Sequence, residues 1–380
     1  LPKDFYSTRY YIDRTMEYIG KDHADGKPFF AYVSLQAQHY PLQAPKEYID
    51  KYEGVYDVGW DEIRAKRYAR QVEKGLMPAG KKLRPAAGAE AWKSLSKKER
   101  RVRAKQMEVY AGMLEAVDAN VGRLLAYLEE IGEADNTVMI VVSDNGADNN
   151  EQDKTVPEWY AKNFDMSYEA MGLPGSYVNY GPGWAGASGT PLHLFKGSAS
   201  EGGMRVPFIV HYPGKLQKGK LTDVFAYVSD VTPTLLELAG APAHDGSYGG
   251  RKVQKITGKS MVSFLQGETD RIHGPNDAVA YELAGSAAVF RGDYKLMRNN
   301  PPFGDKKWRL YRYKDDPLEL DDRAESEPKR FAEMQAAYDA YAKEVSLIEV
   351  PDDYNLLTQL QKNIERNQGK EKTKKVPALD

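Results

Sequence analysis

The segment spanning residues 138–147, Val-Met-Ile-Val-Val-Ser-Asp-Asn-Gly-Ala, constrains the fold more than any other part of the chain. Its first five residues are all apolar, which is typical of a buried strand in a parallel sheet. Ligand groups in such sheets gather beyond the carboxyl ends of the strands, and Asp144 and Asn145 occupy that position. Their carboxylate and amide oxygens are the donors that Ca²⁺ and Mg²⁺ prefer, although Ser-Asp-Asn-Gly is also an ordinary turn sequence. The segment predicts an α/β protein and leaves open whether the turn is a metal site or a plain reversal.

Helices and strands are predicted to alternate along residues 1–272. Helical spacing of apolar residues and breaks at Gly and Pro predict helices at residues 6–19, 109–128 and from 230 onward, and strands at residues 29–35, 138–142 and 206–211. Repeated alternation of this kind indicates an α/β layered domain, because each strand needs a helix to cover its apolar face.

The sequence pattern changes after residue 272. Residues 273–350 contain short apolar runs separated by Gly-Asp and Pro-Pro breaks, and these runs occupy residues 278–283, 287–290, 294–297 and 308–313. Such spacing is typical of an antiparallel sheet, here with a helix predicted at residues 331–345. Residues 351–380 are predicted to form one amphipathic helix at 356–364 and a disordered lysine-rich tail at 369–375.

Composition excludes several classes of protein. The chain has 380 residues, 41% of them hydrophobic, and no apolar stretch approaches the roughly 18 residues of a membrane span. It contains no cysteine, so disulfides and thiolate metal sites are excluded. Residues 64–105 hold fifteen Lys and Arg against three Glu. No nucleic-acid motif accompanies this basic block, so it is interpreted as a solvated face, and no nucleic-acid partner is expected.

Two further side chains have the chemistry of a reactive site. His39 follows the predicted strand at residues 29–35, and a histidine there can act as an acid or base near neutral pH. Lys196 precedes the predicted strand at residues 206–211 and is a compact cation suited to an anionic oxygen. Taken alone, each residue is more readily explained by a structural role, since nothing local fixes a partner for it.

The motifs around these residues resemble a known family. His39 lies in Gln-Ala-Gln-His-Tyr-Pro-Leu-Gln, Asp144 and Asn145 lie in Val-Ser-Asp-Asn-Gly-Ala, and Lys196 lies in Leu-Phe-Lys-Gly ahead of Glu-Gly-Gly-Met-Arg. In this order and spacing, they resemble the sulfatase family, particularly bacterial arylsulfatases. Tyr-Gly-Pro-Gly-Trp at residues 180–184 and Phe-Arg-Gly-Asp-Tyr-Lys-Leu at residues 290–296 resemble further parts of that branch. The likeness extends to about residue 350.

The resemblance implies an alkaline-phosphatase-like α/β sandwich, incomplete at its N-terminus, with a small C-terminal subdomain of antiparallel β-sheet plus helix. It implies hydrolysis of sulfate esters by a formylglycine nucleophile with bound Ca²⁺, or alternatively Mg²⁺. Asp144 and Asn145 would be metal ligands, and Asp144 would also take a proton from the nucleophile. Lys196 would bind a sulfate oxygen and assist the leaving alcohol, and His39 would contact the sulfate or leaving-group oxygen.

One part of the family pattern is missing from this sequence. By the resemblance, the formylglycine derives from a cysteine, or sometimes a serine, in a Cys/Ser-x-Pro/Ala-x-Arg motif, and this chain has no cysteine. By the resemblance, that residue and a paired aspartate are expected on a segment upstream of Leu1, so this chain alone is expected to be inactive. A sulfated small molecule or sulfated glycan is the expected substrate, and a periplasmic or secreted location is expected.

Two alternatives stay open at this stage. The same superfold could host a phosphomonoesterase, phosphodiesterase or phosphonate hydrolase, since one fold supports several chemistries. The Asp-Asn pair and the lysine loop favour sulfate. The other alternative is a non-catalytic, truncated homologue that acts as a binding module.

Overall fold

The computed structural model describes residues 4–216 and 219–371, and these separate into two units. The first unit comprises residues 1–71, 81–196 and 206–212, and the second comprises residues 72–80, 197–205 and 213–380. The domain boundaries predicted at residues 272/273 and 350/351 are a separate division of the chain from these two units, and they stay a prediction. Among the described residues, no helix is long and apolar enough to cross a membrane.

The first unit is built mainly from helices around one long helix. Its helices are α1 (Ser7–Asp22), α2 (Lys46–Ile49), α3 (Trp60–Glu73, whose last two residues belong to the second unit), α4 (Lys97–Glu130), α5 (Gln152–Thr155), α6 (Pro157–Asn163) and α7 (Gly181–Ser188). Its strands are β1 (Met139–Val142) and β2 (Phe208–His211).

Helix α4 begins with a capping box, in which the Ser96 hydroxyl accepts from the Glu99 amide and the Glu99 carboxylate accepts from the Ser96 amide. Its buried face packs beside the rings of Trp60, Trp92 and Trp184, which meet edge to face at 4.8–5.7 Å. Such aromatic contacts contribute beyond their buried area, so this cluster is the main core of the first unit. The predicted helices at residues 6–19 and 109–128 are confirmed by α1 and α4.

The predicted parallel sheet is wrong in its strand direction. Strand β1 pairs antiparallel with β2, with Ile140 opposite Val210. Val141, Val142 and Ile209 are exposed, so the predicted burial of β1 is also wrong. Residues 29–35 are assigned no strand; residues 29–32 are exposed, and Val33 packs against α1 and α4. Apolar patterning identified segments that can be extended, but pairing and burial depend on neighbours that a local pattern does not specify.

The basic block is only partly the solvated face that was predicted. Lys97, Lys98 and Arg101 are exposed, as expected. Arg64 is instead buried, and its guanidinium donates to the Thr190 hydroxyl and to the Arg84 carbonyl. Burial lowers the pKa of Arg64, since a charged group loses hydration there. This arginine therefore ties α3 to the residues that follow α7.

The second unit contains helices α8 to α12 and strands β3 to β8. The helices are α8 (Glu201–Met204), α9 (Val231–Leu238), α10 (Val262–Leu265), α11 (Pro328–Glu344) and α12 (Leu356–Glu371). The strands are β3 (Ser247–Tyr248), β4 (Arg251–Lys252), β5 (Ala278–Leu283), β6 (Ser286–Arg291), β7 (Tyr294–Arg298) and β8 (Arg309–Tyr311). The predicted tail at residues 369–375 begins inside α12, and its part beyond residue 371 lies outside the described residues.

Strands β5 to β8 form a four-stranded antiparallel sheet in sequence order. Val289 of β6 lies opposite both Ala280 and Leu296, and these positions face the apolar side of α11. Met334 and Tyr338 of α11 complete the core. The predicted C-terminal antiparallel sheet and helix are therefore confirmed. Short turns join β5 to β6 and β6 to β7, so these strands pair with near neighbours in sequence.

A fully buried lysine lies within this unit. The Lys295 ammonium group donates to Glu201 Oε1 and to Glu319 Oε1, each at 2.8 Å, and both carboxylates are buried. Burial opposes the charged form, but the two carboxylates outweigh it and raise the pKa of Lys295. Burial, together with the charge of Glu201, raises the pKa of Glu319. This triad joins three segments that are distant in sequence.

We expect Lys295→Met to lower the free energy of unfolding by about 3–5 kcal/mol, since it leaves two buried carboxylates without their cation. Lys314→Met is the matched control, because Lys314 pairs with Asp223 on the surface and should change stability by less than about 1 kcal/mol. Urea unfolding followed by circular dichroism measures both variants. Equal losses in the two would contradict a special contribution of the buried triad.

Candidate functional site

The loop that carries His39 is fixed by backbone hydrogen bonds to a neighbouring segment. The Leu42 amide donates to the Val178 carbonyl at 2.8 Å, and the Ala44 amide donates to the Gly172 carbonyl at 3.1 Å. The loop is thus held between Pro41 and Pro45, and His39 is exposed just before this part.

Gly172 has a conformation and a setting that require glycine. Its φ is +84°, and a Cβ atom there would lie 2.6 Å from Val109 Cγ2, inside van der Waals contact. The Gly172 backbone therefore lies close against α4. Because its carbonyl accepts from the Ala44 amide, this close approach also sets the distance of the His39 loop from α4.

The structure brings Lys196 to His39. The Lys196 amide donates to the Ala147 carbonyl at 2.9 Å, which holds its backbone beside the segment that follows Asp144 and Asn145. The Lys196 Nζ atom lies 3.4 Å from His39 Nε2 and 3.5 Å from Asp148 Oδ2. Two residues predicted from separate motifs, 157 positions apart, therefore meet, together with a carboxylate that was not predicted.

The contacts of His39 determine its tautomer. Its Nδ1 lies 2.8 Å from the Tyr40 carbonyl oxygen, which can only accept a hydrogen bond. Its Nε2 lies beside the Lys196 ammonium group, which can only donate. Both contacts are satisfied by a neutral imidazole that carries its proton on Nδ1. His39 therefore presents a basic Nε2 to the lysine.

Tyr40 and Asp148 are site residues that sequence reasoning missed. The Tyr40 hydroxyl accepts from Gln152 Nε2 at 3.2 Å. Burial, with the nearby charge of Asp148, raises the pKa of Tyr40 well above its usual value, so its hydroxyl stays protonated. The only sequence signal was position, because Tyr40 follows His39 and Asp148 comes three residues after Asn145.

Asp144 and Asn145 lie beyond β1 as predicted, on the exposed end of the strand. The Asn145 side-chain amide donates to the Gly146 carbonyl, and the Ser143 hydroxyl donates to the Asn145 carbonyl, so the turn is locally ordered. Residues 4–216 and 219–371 contain no group of three or more His, Cys, Asp or Glu that could hold a metal ion. The pair fits a hard cation by type of oxygen donor, but it supplies only part of the six to eight ligands that Ca²⁺ takes.

Residues 326–330 read Ser-x-Pro-x-Arg. This is the pattern of the serine-type formylglycine motif that the resemblance to the family implies. It is placed at the start of α11, with Pro328 in the first turn and Arg330 paired with Glu333. The Ser326 hydroxyl donates to the Arg323 carbonyl at 3.4 Å. These contacts give the sequence a helix-initiating role.

Comparison with known proteins identifies the family. Residues 2–241 match the family described as Sulfatase, and residues 195–338 match the family described as N-sulphoglucosamine sulphohydrolase, C-terminal. The chain belongs to the sulfatase family. It is 37% identical over 361 residues to an uncharacterized sulfatase of Schizosaccharomyces pombe, covering 93% of this chain and 64% of that protein. It is 36% identical to an arylsulfatase of Klebsiella aerogenes over 244 residues, covering 63% of this chain and 52% of the relative.

Solved structures confirm the alkaline-phosphatase-like fold. Ps i-CgsB, crystallised in complex with k-i-k-neocarrahexaose, matches 98% of this chain and 62% of its own, with a TM-score of 0.59 at 20% identity. BT4656, in complex with its substrate D-glucosamine-2-N,6-O-disulfate, matches 89% of this chain and 69% of its own, with a TM-score of 0.52 at 17% identity. The chain thus spans about half to two thirds of the length of the sequence relatives and structures compared above.

We expect Gly172→Ala to destabilise the first unit by about 1–3 kcal/mol, because the added methyl group would overlap Val109. Gly175→Ala is the matched control. It also has a positive φ, of +87°, but a Cβ atom there meets nothing within 4 Å. Thermal unfolding of both variants separates the steric effect from backbone strain, and equal shifts would show that the contact with Val109 is unimportant.

Proposed function

We propose that this chain is part of a sulfatase that hydrolyses sulfate esters, with His39 and Lys196 at the position of the leaving oxygen. The observation that carries the proposal is the 3.4 Å approach of Lys196 Nζ to His39 Nε2 in a chain of the sulfatase family. Fixed cationic donors lower the barrier when negative charge grows on a sulfate oxygen and on the departing alcohol.

The two side chains have complementary tasks. Lys196 donates hydrogen bonds from Nζ to an anionic oxygen and is the group that holds the proton needed by the leaving alcohol. His39 accepts from that ammonium group through Nε2, and its Nδ1–H bond to the Tyr40 carbonyl keeps the ring in the required orientation. After Lys196 has given this proton to the departing oxygen, its neutral amine can take another from solvent, since 34% of the lysine side chain is exposed.

Asp144 and Asn145 are proposed to hold a divalent cation, Ca²⁺ or Mg²⁺, through side-chain oxygens. When bound, that cation would stabilise charge on a sulfate oxygen as a Lewis acid. Asp144 is exposed and Asn145 is half-buried at the end of β1, and further ligands have access from the side of Asp144. We place the formylglycine nucleophile outside this chain, which contains no cysteine.

The proposed substrate class is a sulfated sugar or a small aryl sulfate. The relative from Klebsiella aerogenes is named an arylsulfatase, whereas two solved proteins of the same fold hold sugar ligands, and one of these is a disulfated glucosamine. Both classes present the same reacting group, and they differ in the alcohol that leaves.

We expect Lys196→Ala and His39→Ala to lower kcat for 4-nitrophenyl sulfate by about 10²–10³-fold each in the full-length protein, as loss of transition-state contacts does. Lys46→Ala is the control, because Lys46 pairs with Asp50 on the surface. Release of nitrophenol measures the rates, with unfolding curves to show that the variants are folded. Wild-type rates in both site variants would refute these roles. Preference for 4-nitrophenyl phosphate would instead indicate a phosphatase.

We expect Asp144→Ala to abolish stabilisation of the full-length protein by Ca²⁺. A cation that binds only the folded state adds about 2.7 kcal/mol at one hundred times its Kd, and loss of a carboxylate ligand removes most of that effect. Asp135→Ala is the control, since Asp135 is exposed in a short 3-10 helix before β1. The melting temperature with and without Ca²⁺ measures both. An unchanged Ca²⁺ shift in Asp144→Ala would contradict the assignment of this ligand.

A further inference from the structure

We propose that Asp148 is a positioning residue that orients the Lys196 ammonium group toward the sulfate ester, an inference that rests on the proposed sulfatase function. The residue lies in the same loop as Asp144 and Asn145, but it faces the lysine. No motif in the sequence singled it out.

The loop holds Lys196 at two points. The Ala147 carbonyl accepts from the Lys196 backbone amide at 2.9 Å, and the neighbouring Asp148 carboxylate lies 3.5 Å from Lys196 Nζ. Consecutive residues of one segment therefore fix both ends of the lysine. A flexible four-carbon side chain loses much of its rotational freedom when both ends are fixed, which reduces the entropy lost when substrate binds.

Asp148 is itself held rigidly. Its Oδ1 atom accepts from the Asn150 amide at 2.9 Å and from the Asn150 side chain at 2.7 Å. Only 12% of its side chain is exposed. Its Oδ2 atom is buried, and the ion pair with Lys196 compensates the charge of this carboxylate, which also interacts with the Tyr40 hydroxyl.

The ammonium group of Lys196 has three donors. One is directed to His39 Nε2 at 3.4 Å, and the group as a whole forms an ion pair with Asp148 Oδ2 at 3.5 Å. At least one donor is left for a substrate oxygen, and 34% of the lysine side chain is exposed to reach it. The two neighbours thus restrict where the ammonium group lies relative to the substrate.

The charge of Asp148 also has an effect on binding. A carboxylate beside the lysine repels a sulfate anion, so it weakens binding of substrate and of inorganic sulfate in the ground state. Its benefit is orientation, which appears in the rate because a misplaced catalytic group can cost about 10²-fold. Removing the charge should therefore strengthen binding while it slows catalysis, a combination that a purely structural residue would not produce.

The test compares Asp148→Asn with Glu151→Gln. Glu151 is a mostly buried acid that follows Asp148 in the chain, and its ion pairs are with Arg103 at 2.7 Å and Lys154 at 3.0 Å. In the full-length protein, kcat and KM for 4-nitrophenyl sulfate are measured, and binding of inorganic sulfate is measured by calorimetry. Asp148→Glu is the second variant, because it keeps the negative charge but places it one methylene group further from the backbone. This variant still tests the proposal if Asp148→Asn does not fold.

We expect Asp148→Asn to lower kcat by about 10- to 100-fold and to bind sulfate about 3- to 10-fold more tightly. Glu151→Gln should stay within about 2-fold of wild type in both, and Asp148→Glu should lose rate without tighter binding. An active wild type in which Asp148→Asn matches Glu151→Gln overturns the positioning role and leaves the proposed function standing. A folded wild type that turns over no sulfate ester overturns the proposed function and this inference together.

Discussion

A charged side chain that is removed from water destabilises a fold unless opposite charge and hydrogen bonds compensate it. This constraint governs the second unit, where Lys295 is completely buried between Glu201 and Glu319. The three residues come from α8, from β7 and from the loop that follows β8. Because Lys295 compensates both carboxylates and is compensated by them, the triad stabilises the contact among those three segments.

The same constraint acts on the candidate site in a weaker form. Asp148 is nearly buried and depends on Lys196 for its countercharge, whereas Lys196 stays partly exposed. The pair therefore does two things at once. It stabilises a carboxylate in the loop, and it leaves a cation with an open donor beside a neutral histidine. That arrangement suits an oxygen that gains charge during a reaction, which is the basis of the sulfate-ester cleavage that we propose.

Where structure depends on near neighbours in sequence, the predictions are confirmed. Strand β5 begins and ends at the predicted residues, and α11 lies within three residues of its predicted bounds, because alternation and helical spacing are local signals. The strand predicted at residues 29–35 is wrong because a strand depends on pairing with residues that are distant in sequence. Their apolar residues permit an extended conformation, but no strand among the described residues pairs with them, and Phe30 and Tyr32 are exposed. The predicted parallel direction of β1 is wrong for the same reason, since its pairing with β2 joins residues far apart in the sequence.

The sequence by itself determined the family, the positions of helices α1, α4 and α11 and of the C-terminal sheet, and the identity of His39 and Lys196 as candidates. These depend on short motifs and on periodicity, which the order of residues states directly. Only the tertiary structure decided that the two side chains meet at 3.4 Å, that Asp148 joins them, and that Lys295 is buried with two carboxylates. The physical reason is that distance, burial and charge compensation arise between residues far apart in the chain, and no local pattern encodes which of them come together.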